Sequence, residues 1–329
     1  MKLRVTRKLP PEVEDRLVAS YDTTLNPGDA PLTQDALRAA MCKFDILVTT
    51  VSDQIDAALL RTPGRRVRMI ANVGIGVSNI DTEAASAAGV FVSNTPDVVT
   101  DATADVAMLL ILSATRRSYA AETMLRQKQW GAFSLVGNLG TSMQGKTLGI
   151  VGMGRIGQAT ARRAVRGFGM KVIYYNRSDI AAPDFPATRV DTIDAVMRTA
   201  DVVSIHVPGG GGHPLVTAAH IGAMRPHAYL INTARGDSVD QDALVHALTT
   251  GAIAGAGLDV FANEPQVPEA LLSLHNATLL PHIGTATTEV RTAMANMAAD
   301  NVDAFAAARR LPNEVVGARP KTAKKETTE

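Results

Sequence analysis

The sequence predicts an α/β protein of two domains, each built on a largely parallel sheet covered by helices. Three observations predict it. The 329 residues exceed what one ordinary core of about 100–200 residues holds. β-rich runs alternate with helical patterns twice over, on either side of a long apolar helix. Three glycines, Gly152, Gly154 and Gly157, stand where a strand gives way to a helix.

Along the first hundred residues LRVT (3–6), DILVTT (45–50), RMIANVG (68–74) and VFVSN (90–94) read as strands. Between them PEVEDRLVAS, TQDALRAAM and IDTEAASAAG repeat apolar positions at helical spacing. Thr100 to Arg117 reads as one long helix, with Asp101 at its start and Arg116 and Arg117 at its end, as the macrodipole favours. Its apolar character all round predicts burial between two domains. From Lys146 six strands follow, at 147–152, 171–176, 201–207, 227–233, 254–260 and 277–283, with helical patterns at 155–168, 191–199, 240–250 and 268–273. Continuous apolar strands separated by helices predict a sheet covered on both faces, and six of them a doubly wound dinucleotide-binding fold. With that sheet complete, the Ala- and Met-rich helix expected over 287–308 returns the chain to the first domain. The expected domains are therefore 1–99 plus 287–320 and, inserted between them, 100–286. Residues 321–329 lack apolar content and are expected to form a disordered tail.

Composition narrows the function classes. At 46% hydrophobic and 20% charged residues the chain is globular, not intrinsically disordered. Lys plus Arg number 33 against 32 Asp plus Glu, a balance that argues against a nucleic-acid partner. Cys42 stands alone, cannot form an intrachain disulfide, and suits a reducing compartment. It is expected as a small apolar filler. Met1 to Pro10 holds too short an apolar run for a cleavable signal, and Val106 to Leu112, the longest apolar stretch, falls short of the roughly 18 residues a membrane span needs. The expectation is a soluble, cytoplasmic protein with no membrane partner.

The chemistry concentrates in the second alternation. In GMGRIG, Gly152 permits a tight turn, Gly154 a close approach of backbone to pyrophosphate, and Gly157 close helix–strand packing, while the helix start receives the phosphate charge. An NAD-selective fold places an acid about 20 residues further on, to hold the ribose 2′-hydroxyl. Here that position is Asn176, followed by Arg177 and Ser178. No carboxylate stands there to repel a 2′-phosphate, and a guanidinium and a hydroxyl can bind one, so NADPH is expected over NADH. Asp179 swinging in to serve NAD is the alternative. Arg235, Glu264 and His282 fall at the ends of three successive strands, where open α/β sheets form their ligand crevice. Such an arginine can bind a carboxylate at two points. A histidine titrates near neutrality, and a carboxylate neighbour favours its charged form. Jointly they suit reduction of a 2-keto acid. His206, His213, His220 and His227 recur every seven residues, but the prolines and glycines between them keep them off one helix. No metal-ligand spacing appears, and no metal is expected.

The stretches NVGIGVSNID (72–81), SNTPDVVTDATADVA (93–107), GKTLGIVGMGRIG (145–157), INTARGDSVDQDAL (231–244), GAGLDVFANEP (255–265) and LLPHIGTATTEVR (279–291) resemble the D-isomer-specific 2-hydroxyacid dehydrogenase family, in its glyoxylate/hydroxypyruvate reductase branch. The resemblance implies a Rossmann cofactor domain inserted in a flavodoxin-like substrate domain, and a homodimer built through the cofactor domain. It implies that His282 protonates the carbonyl oxygen as hydride arrives, that Glu264 orients His282, and that Arg235 holds the substrate. It assigns the substrate carboxylate to the backbone of Val73 and Gly74, and the pyrophosphate to Gly152, Met153, Gly154, Arg155, Ile156 and Gly157. Asn176, Arg177 and Ser178 match the adenosine ribose site; Val207, Pro208, Thr233, Ala234, Asp259 and Gly284 match the rest of the cofactor cleft. Glu264, where formate dehydrogenases carry an amide, argues against formate oxidation. Two departures stand out: Val77 and Ser78 replace an aromatic and an acid in the substrate loop, and 208–218 is glycine-rich. Small residues at 77 and 78 leave open larger substrates such as hydroxyphenylpyruvate or 2-ketogluconate. A dinucleotide-sensing, corepressor-like module is the reading from another class.

Overall fold

The computed structural model describes residues 1–209 and 212–317, so the expected tail at 321–329 lies outside the described residues. The chain opens with β1 (Lys2–Val5), α1 (Pro11–Ser20), β2 (Asp22–Thr24), α2 (Gln34–Lys43), β3 (Ile46–Thr50), α3 (Ala57–Leu60), β4 (Met69–Val73), α4 (Thr82–Ala87) and β5 (Phe91–Ser93). There follow α5 (Thr100–Thr115), α6 (Ser118–Arg126), β6 (Thr147–Val151), α7 (Arg155–Phe168), β7 (Lys171–Tyr175), β8 (Thr188–Arg189), α8 (Ile193–Thr199), β9 (Val202–Ile205), α9 (Ala218–Gly222), β10 (Tyr229–Asn232), α10 (Gln241–Thr250), β11 (Gly255–Leu258), α11 (Glu269–Leu272) and β12 (Ala277–Leu279). The chain then forms α12 (Thr288–Ala306) and β13 (Glu314–Val316). It divides into two compact units, Met1–Val99 with the segment from Thr287 on, and Thr100–Ala286.

The first unit is a six-stranded sheet in the order β13-β5-β4-β3-β1-β2, parallel except for β13. Without that edge strand the order is the flavodoxin-like 2-1-3-4-5. Each face has its own core: Leu3, Val48 and Met69 lie under α1 and α12, which contributes Ala295, Ala298 and Val302. Leu47, Ile70 and Val92 lie under α2, α3 and α4. Asp56, Asp81 and Thr287 cap the starts of α3, α4 and α12 with side-chain oxygens. Cys42, expected as a filler, is exposed, because α2 turns Leu37, Ala40 and Met41 inward instead.

The second unit is an all-parallel sheet in the order β12-β11-β10-β9-β6-β7-β8. Its strands number seven, not the six expected; β8 is two residues long and too short to leave a period in the sequence. The order reverses between β6 and β9, the switch point at which doubly wound sheets bind ligands. β9, β10 and β11 are buried throughout, as strands covered on both sides must be. α5 packs on α7, β10, β11 and β12, with Leu110 and Ile111 fully buried and Leu109 left exposed. It ends at Thr115 instead of Arg117, because Arg117 adopts φ +54° and breaks the run before α6. Among the described residues no helix is long and apolar enough to cross a membrane, and no cluster of His, Cys, Asp or Glu could hold a metal.

Candidate active site

Three successive strands of the second unit, β10, β11 and β12, lead into the segments that carry the residues singled out in the sequence. Asn232, buried at the end of β10, shapes the first turn: its Nδ2 donates to the Arg235 carbonyl at 2.8 Å and its Oδ1 accepts from the Ala234 amide at 3.0 Å. A Cβ on the following Gly236 would lie 1.9 Å from the Phe261 carbonyl carbon, so only glycine lets the Arg235 turn close on the segment leading to Glu264. Glu264 Oε1 accepts from the Phe261 amide at 3.0 Å, and Oε2 holds His282 Nδ1 at 2.7 Å. His282 itself has φ +55°, a left-handed conformation fixed by Asp259. The Asp259 carbonyl accepts from the His282 amide at 2.9 Å, and the two carboxylate oxygens accept from the amides of Ile283 and Gly284 at 2.7 Å each.

The electrostatics follow from this packing. Burial pushes the Glu264 carboxyl up, but the hydrogen bond and charge of His282, the Phe261 amide and Arg235 outweigh it and hold the group below its ordinary value. Burial pushes Asp259 up despite its two amide donors. Burial also pulls the Arg235 guanidinium down, against the opposing pull of Glu264 and Asp237, yet a guanidinium keeps its charge at neutral pH. With Nδ1 turned to the carboxylate, Nε2 is the ring nitrogen left for a ligand. Beside the pair lies an apolar cavity of about 320 Å3 lined in part by Phe261, Val267, Leu272, Leu279 and Pro281.

At the switch point the glycine turn fits a dinucleotide. Gly152 has φ +97° and its Cβ would sit 2.6 Å from the His206 carbonyl oxygen; a Cβ on Gly157 would sit 2.3 Å from the Gly152 carbonyl oxygen. A Cβ on Gly154 would meet nothing within 4 Å, which leaves open space before α7. No side chain caps α7, so its first-turn amides, including that of Ile156, point at that space with no carbonyl of the helix before them. Thr233 Oγ1 is buried without a partner, and Ala234 packs on the core beside it. The residues present therefore suit a phosphate at the helix start and a polar group near Thr233. The Met153 amide donates to Asn176 Oδ1 at 2.9 Å, which ties the ribose-side loop to the glycine turn. Asn176 Nδ2 donates to the Ser178 carbonyl at 2.9 Å, and Arg177 is exposed on the same loop. Val207 packs against the turn at Gly152, Pro208 is exposed beyond it, and a Cβ on Gly209 would collide with Asp237 and Arg235.

In the first unit Val73 ends β4 and Gly74 follows, where a Cβ would lie 2.8 Å from Val51 Cγ1. Buried Asn72 holds this loop, accepting from Thr49 Oγ1 at 3.2 Å and donating to the Gly76 carbonyl at 2.9 Å. Val77 packs on the core of its own unit and Ser78 is exposed. Asn72, Asn232 and Gly236 were not singled out from the sequence. An asparagine closing a strand before a glycine-bearing turn is the signal that marks the first two.

Residues 108–284 match the profile of the D-isomer specific 2-hydroxyacid dehydrogenase, NAD binding domain. The chain is 41% identical over 321 residues to the glyoxylate reductase of Thermococcus litoralis, covering 95% of this chain and 96% of that one. An NADPH-dependent glyoxylate/hydroxypyruvate reductase from Sinorhizobium meliloti, solved with NADP and malonate, aligns with a TM-score of 0.82 and 36% identity over 96% of this chain and 97% of its own. A glyoxylate reductase from Paecilomyes thermophila aligns with a TM-score of 0.84 and 32% identity over 96% and 98%. An NAD(P)-dependent oxidoreductase by fold and by kinship, the chain belongs to the D-isomer specific 2-hydroxyacid dehydrogenase family.

Proposed function

We propose that the protein reduces small 2-keto acids, glyoxylate and hydroxypyruvate foremost, to D-2-hydroxy acids with NADPH. The observation that carries this is the His282–Glu264 pair at 2.7 Å, on strand ends adjacent to the one that bears Arg235. Arg235 binds the substrate carboxylate and polarises the keto oxygen. The nicotinamide, when bound, supplies the hydride. His282 Nε2 gives its proton to the keto oxygen, and Glu264 keeps Nδ1 protonated and the ring oriented while it does so. Asp259 and Thr233 lie on the nicotinamide side, with Gly284 beside Asp259. Hydride added at the keto carbon and the proton added at its oxygen together complete the alcohol.

Asn176, where an NAD-selective chain carries an acid, favours NADPH, with NADH a poorer cofactor. The relative from Sinorhizobium meliloti is itself named NADPH-dependent. A homodimer through the cofactor unit accounts for an apolar segment that is otherwise left in water: Phe133, Leu135 and Val136 are each more than 80% exposed, with Trp130 and Leu139 beside them. A lone cysteine suits the cytoplasm. Initial rates with NADPH and NADH against glyoxylate, hydroxypyruvate, phenylpyruvate and 2-ketogluconate test the reading. The highest kcat/KM is expected for NADPH with glyoxylate or hydroxypyruvate. An NADH preference overturns the cofactor assignment, a preference for the larger acids overturns the substrate, and no turnover together with dinucleotide-dependent partner capture favours the corepressor-like role.

A further inference from the structure

We propose that Arg189 makes the adenosine end of the cleft selective for a 2′-phosphorylated dinucleotide, by clamping the 176–179 loop and occupying its one carboxylate. The inference deepens the NADPH reading above and rests on it. β8 is short, but its register is fixed: Thr188 pairs with Ile173 and Arg189 with Tyr174, and the Val190 amide donates to the Tyr174 carbonyl at 2.9 Å. That register sets Arg189 beside the end of β7, next to the loop that begins at Asn176. Its guanidinium spans the loop, Nη2 donating to the Asn176 carbonyl at 3.2 Å and Nη1 pairing with Asp179 Oδ1.

Two consequences follow from that geometry. Asp179 is the only acid in the loop, the one carboxylate there that could hold a ribose 2′-hydroxyl and the one negative charge there that could repel a 2′-phosphate. Paired with Arg189, its charge is compensated. The Arg189 side chain is also 42% exposed and Arg177 lies exposed on the same loop, so two guanidinium groups stand where an incoming phosphate can meet them. Asn176, held by Met153 on one side and Arg189 on the other, cannot drift away to undo the arrangement. Without Arg189 the loop loses a tie and gains a free carboxylate. Both changes disfavour the 2′-phosphate, and the second favours a bare ribose.

The test is calorimetric binding of adenosine 2′,5′-bisphosphate, ADP, NADP+ and NAD+ to the full chain and to Arg189→Gln, Asp179→Asn, the double variant and Arg177→Gln. Arg189→Gln is expected to weaken NADP+ and the bisphosphate about five- to tenfold, the scale of one partly exposed charge-assisted contact, with ADP and NAD+ unweakened. Asp179→Asn in that background is expected to restore part of the loss, and high salt to shrink it. An unchanged ratio of bisphosphate to ADP affinity in Arg189→Gln, while Arg177→Gln loses it, overturns the role of Arg189 and leaves the NADPH reading standing. A wild-type chain that binds ADP as tightly as the bisphosphate overturns both. Melting curves that match wild type show that the variants fold.

Discussion

Glu264→Gln probes the proton-donor pair most directly. The carboxylate accepts from Phe261 at 3.0 Å and holds His282 Nδ1 at 2.7 Å, with both side chains about one-third exposed. Glutamine keeps the shape and can still accept from Phe261 through its carbonyl, but it then turns an NH2 donor onto a nitrogen that needs an acceptor. A charge-assisted hydrogen bond in a half-buried setting is worth about 1.5–3 kcal/mol, the lower end applying at this exposure. At about 1.4 kcal/mol per decade, kcat is expected to fall about 10- to 100-fold. The pH dependence has a definite sign. The folded carboxyl titrates below its ordinary value of 4.5, so its contribution to stability is present above that pH and is lost as pH falls through the folded value. Glutamine has nothing to titrate there, and the variant's stability curve is expected to be flatter below pH 4.5. The assay is steady-state kcat with glyoxylate at saturating NADPH, paired with NADP+ calorimetry and melting scans from pH 7 downward. The reasoning is refuted if kcat stays within about threefold of wild type, or if NADP+ affinity falls as far as kcat does.

Other substitutions test other parts of the fold. Burial pulls the His206 imidazole, which bonds Ser204 Oγ at 2.9 Å, down to about 4 from 6.5. Between those values the unfolded chain binds a proton that the folded one refuses, so stability falls as pH drops through this window, by at most about 3 kcal/mol. His206→Gln is expected to remove that slope from thermal melts between pH 7 and 4, and an unaltered slope would show the ring plays no part. Gly157→Ala drives a Cβ to 2.3 Å from the Gly152 carbonyl, so α7 must shift, at about 1–3 kcal/mol, and NADP+ binding by calorimetry is expected to weaken at least about tenfold. Leu110→Ala empties a fully buried site between α5 and the sheet and is expected to cost about 2–5 kcal/mol in urea unfolding.

What the sequence disclosed depended on local signals. α1 and α7 have the bounds expected, one opened by Pro11 and the other bracketed by the glycine turn and by Gly169 at φ +60°. β2, β8 and β13 run two or three residues at sheet edges, too few to show a period, and their pairing is a tertiary fact. The break between α5 and α6 carries no Gly or Pro; it falls at Arg117, a residue that gives no warning. α3 and α9 span four and five residues and carry too few buried positions to reveal a face. The strand-end location of Arg235, Glu264 and His282 was legible because parallel strands finish at one edge of a sheet. The hydrogen bonds that Asp259 accepts and that fix His282, and the reach of Arg189 to Asp179, were not, because each joins residues from different strands or loops whose approach only the folded chain sets.

The first sheet is begun by β1 through β5 but finished by the last described stretch of chain, with all of Thr100–Ala286 in between. During synthesis, Leu3, Val48 and Met69 therefore wait for Ala295, Ala298 and Val302 to leave the ribosome. The inserted unit, continuous in sequence, has every strand of its sheet before then and can fold first. A nascent chain halted short of Thr288 would pair a finished cofactor sheet with an open, apolar partner face, an intermediate suited to capture by chaperones and prone to self-association. For this protein the order of translation thus separates the two halves in time, and the final turns of α12 decide when the first-made but last-completed sheet becomes safe from aggregation.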